Sequence, residues 1–295
     1  MNTLKTKKIK RPKYAVFTMD VETLSDTECL SSSGIRVQED ALDGFDEYIR
    51  ILDRHDIKGT LFTVGDLAPK IADRLKKYIS RGHKLAMHSH THIAPMIESA
   101  ERFRQKTRQA KQDMETQFET RVEGFRAPCF SMDRTRLDIL KELGFRYDSS
   151  FLDFKKARHT VNLDLSDFET DRKGVYYKDD FYEFGLSKGK VFGMPYPISG
   201  GGYVRLSYWV FVKNLIQSYI RRNDYYVFYL HPFELTRRKV PYIKELKNYD
   251  KFYLQRGIGT FGKRVEKIIR MLEKAGYEFV TYERLVQLMD QETAK

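Results

Sequence analysis

Two carboxylates stand two residues apart in Phe17-Thr18-Met19-Asp20-Val21-Glu22-Thr23. On an extended backbone that spacing sends both side chains to one face. Three of the chain's seven histidines fall within Met87-His88-Ser89-His90-Thr91-His92. If the chain turns into a helix there, His88 and His92 share a face and His90 points elsewhere. Two imidazoles and one carboxylate form a catalytic metal set that leaves a coordination position for water, and Glu22 or Asp20 would supply the carboxylate. Arg126 stands in Gly124-Phe125-Arg126-Ala127-Pro128-Cys129-Phe130-Ser131. It could be a surface charge, or a partner that keeps a neighbouring carboxylate charged. His231 follows the apolar run Tyr226-Val227-Phe228-Tyr229-Leu230 and precedes Pro232-Phe233-Glu234. A lone histidine in that position serves either structure or catalysis.

The elements that must position these groups are legible as short β-rich runs between helical periods. Strands are expected over Tyr14–Asp20, Gly59–Val64, Lys84–His88, Val122–Phe125, Phe145–Asp148, Val191–Met194, Tyr225–His231 and Tyr277–Thr281. Leu42, Phe45, Ile49 and Leu52 recur at helical spacing, as do Leu67, Ile71, Leu75 and Tyr78/Ile79. Leu137, Leu140 and Leu143 do the same, as do Val265, Ile268/Ile269 and Leu272. Ser131 reads as a helix N-cap, and Gly144 and Gly276 as helix stops. Strand–helix alternation along the whole chain argues for an α/β fold, a parallel sheet closed or nearly closed into a barrel. The polar stretch Lys155–Lys190 lacks periodicity and reads as a long insertion over one end of the barrel. No linker divides the chain, so residues 14–295 are expected to form one catalytic domain behind a basic tail, residues 1–13. Asp20, His88, Arg126 and His231 each end a separate expected strand, and in a parallel barrel those ends share one rim, where active sites are built.

Composition narrows the partners. The chain of 295 residues has 41% hydrophobic residues, with 20 Phe and 19 Tyr, ample for a packed core. Its longest apolar runs, such as Tyr225–Leu230, fall far short of the roughly 20 residues a spanning helix needs. Cys29 and Cys129 form neither a metal spacing nor a disulfide framework. Net charge is +12, and six of the positive charges lie within Lys5–Lys13. That block suits a solvated tail or a contact with an anionic membrane surface. No zinc-finger spacing or aromatic RNA-binding signature is present, so nucleic acid is not an expected partner. No apolar stretch of secretory length follows the basic N-terminus, and a cytosolic location, either free or at the inner face of the membrane, is expected.

Taken in order, D-x-E, H-S-x-x-H, R-x-P-x-F-S and a late L-H-P resemble the polysaccharide deacetylase (NodB homology) superfamily, also called carbohydrate esterase family four. Gly59–Gly65, Arg81-Gly82-His83-Lys84-Leu85 and Gly144–Ser150 add to the resemblance, which runs from about Tyr14 to Arg284. It implies a distorted (β/α) barrel of about seven strands. The commonest first motif of the family is T-F-D-D-G; Thr18-Met19-Asp20-Val21-Glu22 instead resembles a subgroup with D-V-E or D-V-D, and Lys84 stands where the family often has Glu. By this resemblance Asp20 is the general base, and Glu22, His88 and His92 hold a divalent cation, zinc by preference. Arg126 positions Asp20, His231 is the general acid, and Asp148 orients Arg126 or His231. Leu230 would wall the acetyl methyl, with Pro128, Tyr203 and Arg205 as further substrate contacts. The stretch Gly200–Arg205 resembles the same subgroup, and an arginine there would suit a phosphate or uronate. The activity implied is removal of an acetyl group from an N-acetylated amino sugar, in a glycan or linked to a lipid or nucleotide. Hydrolysis of a non-sugar cyclic or linear amide is the alternative on the same motifs. A non-catalytic binder of sugar or anionic polymer is the third reading, although the base, ligands and acid are all present.

Overall fold

The computed structural model describes residues 11–152 and 163–293. Residues 1–10, most of the expected tail, lie outside the described residues, and Lys13 already opens β1 (Lys13–Val21). Side-chain alternation along β1 sets the architecture. Ala15, Phe17, Met19 and Val21 pack outward among the helices, while Tyr14 and Val16 face an aromatic interior with Phe62, Tyr147, Phe184, Tyr225 and Tyr282. A strand buried on both faces belongs to a parallel sheet covered by helices.

Seven strands run parallel around this interior. In chain order they are β1, β2 (Thr60–Thr63), β3 (Lys84–Met87), β4 (Gly124–Phe125), β5 (Tyr147–Asp148), β8 (Phe181–Phe184) and β11 (Tyr225–Leu230). The sheet order is β11-β1-β2-β3-β4-β5-β8, continued by β7 (Val175–Lys178) and β6 (Glu169–Arg172), which run antiparallel as an edge. β12 (Tyr277–Phe279) pairs with the start of β1, below β2. No ladder joins β8 to β11. The gap is crossed by side chain and loop: Val227 N–H donates to Ser187 Oγ at 3.1 Å, and Tyr229 N–H donates to the Ser199 carbonyl at 2.9 Å. This is the nearly closed barrel that the strand–helix alternation argued for, with the distortion that the resemblance implied.

Helices Asp43–Asp53, Ala72–Ile79, Arg134–Glu142 and Phe261–Lys274 carry the apolar stripes read from the sequence. Gly144 and Gly276 end two of them at φ +75° and +74°, where a side chain would be strained. Three expectations change. The cap of helix Arg134–Glu142 is Asp133, whose carboxylate accepts from Arg136 N–H at 2.9 Å; Ser131 is buried two residues earlier. Val191–Met194 is no strand. It is the turn of a hairpin between β9 (Lys188–Val191) and β10 (Met194–Pro197), with Phe192 and Gly193 at positive φ. The stretch 155–190 is no simple insertion either: residues 155–162 lie outside the described residues, but β6, β7 and β8 come from it and extend the barrel sheet. It showed no alternation because Phe181-Tyr182-Glu183-Phe184 is buried on both faces, while β6 is a charged edge.

Candidate active site

The alternation that builds the interior also delivers the polar groups. Continuing inward from Val16, β1 presents Thr18, Asp20 and then Glu22; β11 presents Tyr229 and then His231; His88 and Arg126 follow the ends of β3 and β4. All converge on a cleft of about 360 Å³ at the C-terminal rim of the barrel, which Asp20, Glu22, His88, His92, Tyr229 and His231 line.

Arg126 has no exposure at all. Its guanidinium donates to Asp20 Oδ1 at 2.7 Å, Thr18 Oγ1 at 2.8 Å, the Ser149 carbonyl at 3.1 Å and Ser149 Oγ at 3.0 Å. Its flat face lies 4.1 Å from the centroid of Phe62. A buried guanidinium needs this saturation, because an unpaired charge in the interior is costly. Burial alone would lower its pKa, but the Asp20 charge raises it instead. The arginine therefore fixes one oxygen of Asp20 and leaves Oδ2 toward the cleft, 4.0 Å from His231 Nε2.

Glu22, His88 and His92 place one ligand atom each within 4.8 Å of one another, a set that could hold a metal ion. His92 Nε2 lies 2.7 Å and His88 Nε2 3.6 Å from Glu22 Oε2. The loop between the histidines is not the helical turn expected. Ser89, at φ +63°, reverses the backbone, and the Ser89 and His90 carbonyls accept from Gly65 and Asp66 N–H. Glycine at position 65 suits this close approach, since a Cβ would stand 3.0 Å from the His90 carbonyl oxygen and push the loop away. His90 turns out toward Asp66 at 3.2 Å. The donor set fits a cation by two observations. His88 Nδ1 donates to the Arg126 carbonyl at 2.8 Å, which leaves Nε2 as a lone-pair donor. Glu22 Oε2, wholly buried, has no hydrogen-bond partner, so its short imidazole contacts converge without the alignment of hydrogen bonds. Burial would raise the Glu22 carboxyl, yet His92 and His231 hold it well below the usual carboxylate range.

His231 Nδ1 faces Glu234 Oε2 at 3.3 Å, and the same oxygen accepts His231 N–H at 3.1 Å, closing a capping box over Pro232–Leu235. Burial opposes charging of His231, but Glu22, Glu234 and Asp20 outweigh it and raise its pKa to about 9. Glu234 also accepts from Arg205 Nε at 3.2 Å.

Four sequence-derived assignments are corrected. Leu230 cannot wall the cleft: it alternates with Tyr229 and His231, so it points into the helix-facing core. Tyr229 takes that wall. Asp148 likewise points away from the interior that Tyr147 and Ser149 face; it accepts from Ser150 Oγ at 2.8 Å and touches neither Arg126 nor His231. Its place beside Arg126 belongs to Ser149, adjacent in Tyr147-Asp148-Ser149-Ser150. Arg205 is buried, donating to Glu234 and to the Tyr253 and Arg256 carbonyls, and is spent on structure. Pro128 lies behind the cleft wall, which Ala127, Cys129 and Phe130 form. Cys129 and Phe130 hold φ of +56° and +55°, strained for residues with side chains and concentrated at this rim. Tyr203 lines the cleft as expected from its position. The residues missed by sequence reasoning are Thr18, Ser149, Tyr229, Glu234 and Tyr253; strand parity with Asp20 and His231 would have found the first and third.

The family model described as polysaccharide deacetylase matches residues 39–147, and a domain of unknown function (DUF3473) matches residues 154–287. The first span includes His88, His92 and Arg126, the second His231; Asp20 and Glu22 precede both. No curated protein matches the chain in sequence. Among solved structures, a candidate polysaccharide deacetylase from Mycobacterium smegmatis superposes with a TM-score of 0.62 at 15% identity, over 96% of this chain and 92% of that one. A CE4-family pseudoenzyme from Bacillus anthracis gives a TM-score of 0.54 at 12% identity, over 94% of this chain and 66% of that one. A mutant of a CE4-family pseudoenzyme with restored activity gives 0.55 at 12% identity, over 94% of this chain and 68% of that one. At these identities the likeness concerns the fold.

Proposed function

We infer the activity from the family: this chain belongs to the NodB-type polysaccharide deacetylase superfamily, and we propose that it hydrolyses an N-acetyl group on an amino sugar. The observation that carries the reading is the convergence, in one cleft, of the buried Glu22–His88–His92 set with an arginine-held Asp20 and a carboxylate-held His231. Glu22, His88 and His92 would hold a divalent cation, zinc by preference, which would supply Lewis acidity to the acetyl carbonyl and the attacking water. The chain's own groups do the rest. Asp20, fixed by Arg126 through one oxygen, receives the water's proton on the other. His231, turned by Glu234 so that Nε2 faces the cleft, gives a proton to the departing amine. Tyr229 walls the acetyl group.

Among the described residues lining the cleft there is no lysine or arginine, while Glu28 and Asp250 stand on its rim with Tyr249 and Tyr253. This favours a neutral or amino-bearing saccharide at the reacting end, with any phosphate of a lipid or nucleotide carrier held away from it. The test is acetate release from a panel of N-acetylated oligosaccharides, lipid-linked saccharides, sugar nucleotides and cyclic ureides, with and without added zinc. Metal-dependent release from the saccharides alone is expected. Turnover restricted to the ureides would transfer the site to amide hydrolysis outside sugars, and no turnover by the zinc-loaded protein would leave a binder.

A further inference from the structure

Ten large hydrophobic side chains are markedly exposed among the described residues, and five of them fall between Phe192 and Phe211. They lie on two elements that touch through Tyr196, the β9–β10 hairpin and the start of the helix Trp209–Arg222. Phe192, at the tip of the β9–β10 hairpin, is 99% exposed and held at φ +49° beside Gly193. Met194 follows on the same face of β10 as Tyr196, whose ring meets Phe211 edge-on at 5.3 Å between centroids. Tyr196 also hydrogen-bonds Ser207 at 2.6 Å, fixing the hairpin across the start of the helix Trp209–Arg222, where Tyr208 and Val210 project. Nothing in the core uses these side chains, and a projecting aromatic tip on a braced hairpin is a knob rather than a groove.

Cations flank the knob. Lys188 and Lys190 on β9 line a groove with Lys173 and Arg222 and no acidic residue; a second groove shares Lys173 and Arg222, but Asp224 lies in its wall and its Arg11 and Arg172 pair with Asp171 and Glu292. Aromatic and methionine side chains at a convex tip, beside a basic surface, match the two parts of an anionic bilayer: acyl chains below and phosphates above.

We propose that the β9–β10 hairpin and the start of helix Trp209–Arg222 dock this protein on an anionic lipid bilayer, with Phe192 and Met194 entering the acyl boundary. The helical part of this surface begins at Tyr208, two residues after Leu206, a residue of the cleft wall, so docking holds the cleft beside the membrane surface. The proposal stands apart from the catalytic reading, because vesicle binding needs no turnover.

The experiment is flotation of the full chain with phosphatidylcholine vesicles, with and without phosphatidylglycerol. Binding to the anionic vesicles and loss of at least about tenfold in affinity for Phe192→Ser/Met194→Ser are expected, with an unchanged melting temperature; that variant keeps every basic charge, tail included. A second variant, Phe192→Trp in a Trp209→Phe background, should show blue-shifted emission on those vesicles and quenching by brominated acyl chains. Undiminished flotation of the double variant, or an unshifted tryptophan at the tip, overturns the proposal and leaves the basic tail as the binding element. A wild-type dimer that the double variant converts to monomer, with no vesicle binding by either, overturns it in favour of a second copy of the chain.

Discussion

Two groups of carboxyls are buried equally deeply in this barrel and behave oppositely. Glu22 and Glu234, at the cleft, lie with His92 and Arg205; Asp148 and Glu183, between β5 and β8 on the outer side of the sheet, face each other and hydrogen-bond donors, with the Arg126 charge a weaker influence on Asp148. Burial pushes all four upward. At the cleft, neighbouring imidazoles and the guanidinium reverse the push, and both Glu22 and Glu234 end below their ordinary values. Between β5 and β8 the hydrogen bonds and the Arg126 charge are too weak to reverse it: Asp148 rises to about 6 and Glu183 well above its ordinary value, so the pair holds a proton. Glu283, capped by Tyr147 O–H at 2.7 Å, rises to about 7 for the same reason. Depth therefore does not mark the reactive carboxylates; the cation partner does.

The largest expected effect is at Asp20. Asp20→Asn should lower kcat by about 10³-fold or more, the upper range for positioned proton transfer, while zinc content measured on the purified variant stays near one per chain. Loss of the zinc with the activity would exchange the roles of Asp20 and Glu22. His231→Ala should lower kcat by about 10²–10⁴-fold on an N-acetyl substrate and far less on an activated aryl acetate, whose leaving group departs without a proton. In the wild type, kcat/KM should fall as pH rises through the His231 value, because only the protonated imidazole can donate. Cation binding offsets the Glu22 charge, the main force raising that value, so the alkaline limb should move below 9 in the loaded enzyme and vanish in His231→Ala. Equal losses on both substrates with a depressed melting temperature would make His231 structural.

Smaller effects sharpen the contrast between the two carboxyl groups. Glu283 has a folded-state value raised to about 7, so its contribution is intact below the unfolded value near 4.5 and is lost as pH rises through 7. Glu283→Gln cannot charge, and it should gain on the wild type by up to roughly 3 kcal/mol between pH 5 and pH 8, read from thermal melts at both. Glu234→Gln strips Arg205 and His231 of their counter-charge and should cost about 1–3 kcal/mol at neutral pH. Glu183→Gln replaces a protonated carboxyl by an amide that can still donate to Asp148, and it should cost about 1 kcal/mol or less. Equal costs for these two variants would break the comparison.

Much of this was written locally. Alternation in Tyr14–Asp20 and Tyr225–His231, the stripes of four helices and the stop glycines depend on neighbours a few residues apart, so the barrel and its rim residues Asp20, Glu22, His88, His92, Arg126 and His231 could be read from the chain alone. Parity was available too, and it rejects Leu230 and Asp148 once the inward face of each strand is known. What local sequence does not hold is which face that is where a strand has two residues, as in β4 and β5, or is apolar on both sides, as in β8. Only the assembled barrel decided that Arg205 is consumed by Glu234, that Ser149 rather than Asp148 supports Arg126, and that Ser89 rather than a helical turn brings His92 back to His88. Each of those outcomes is a contact between segments far apart in the chain, fixed by how the strands pack and by the need of every buried charge for a partner.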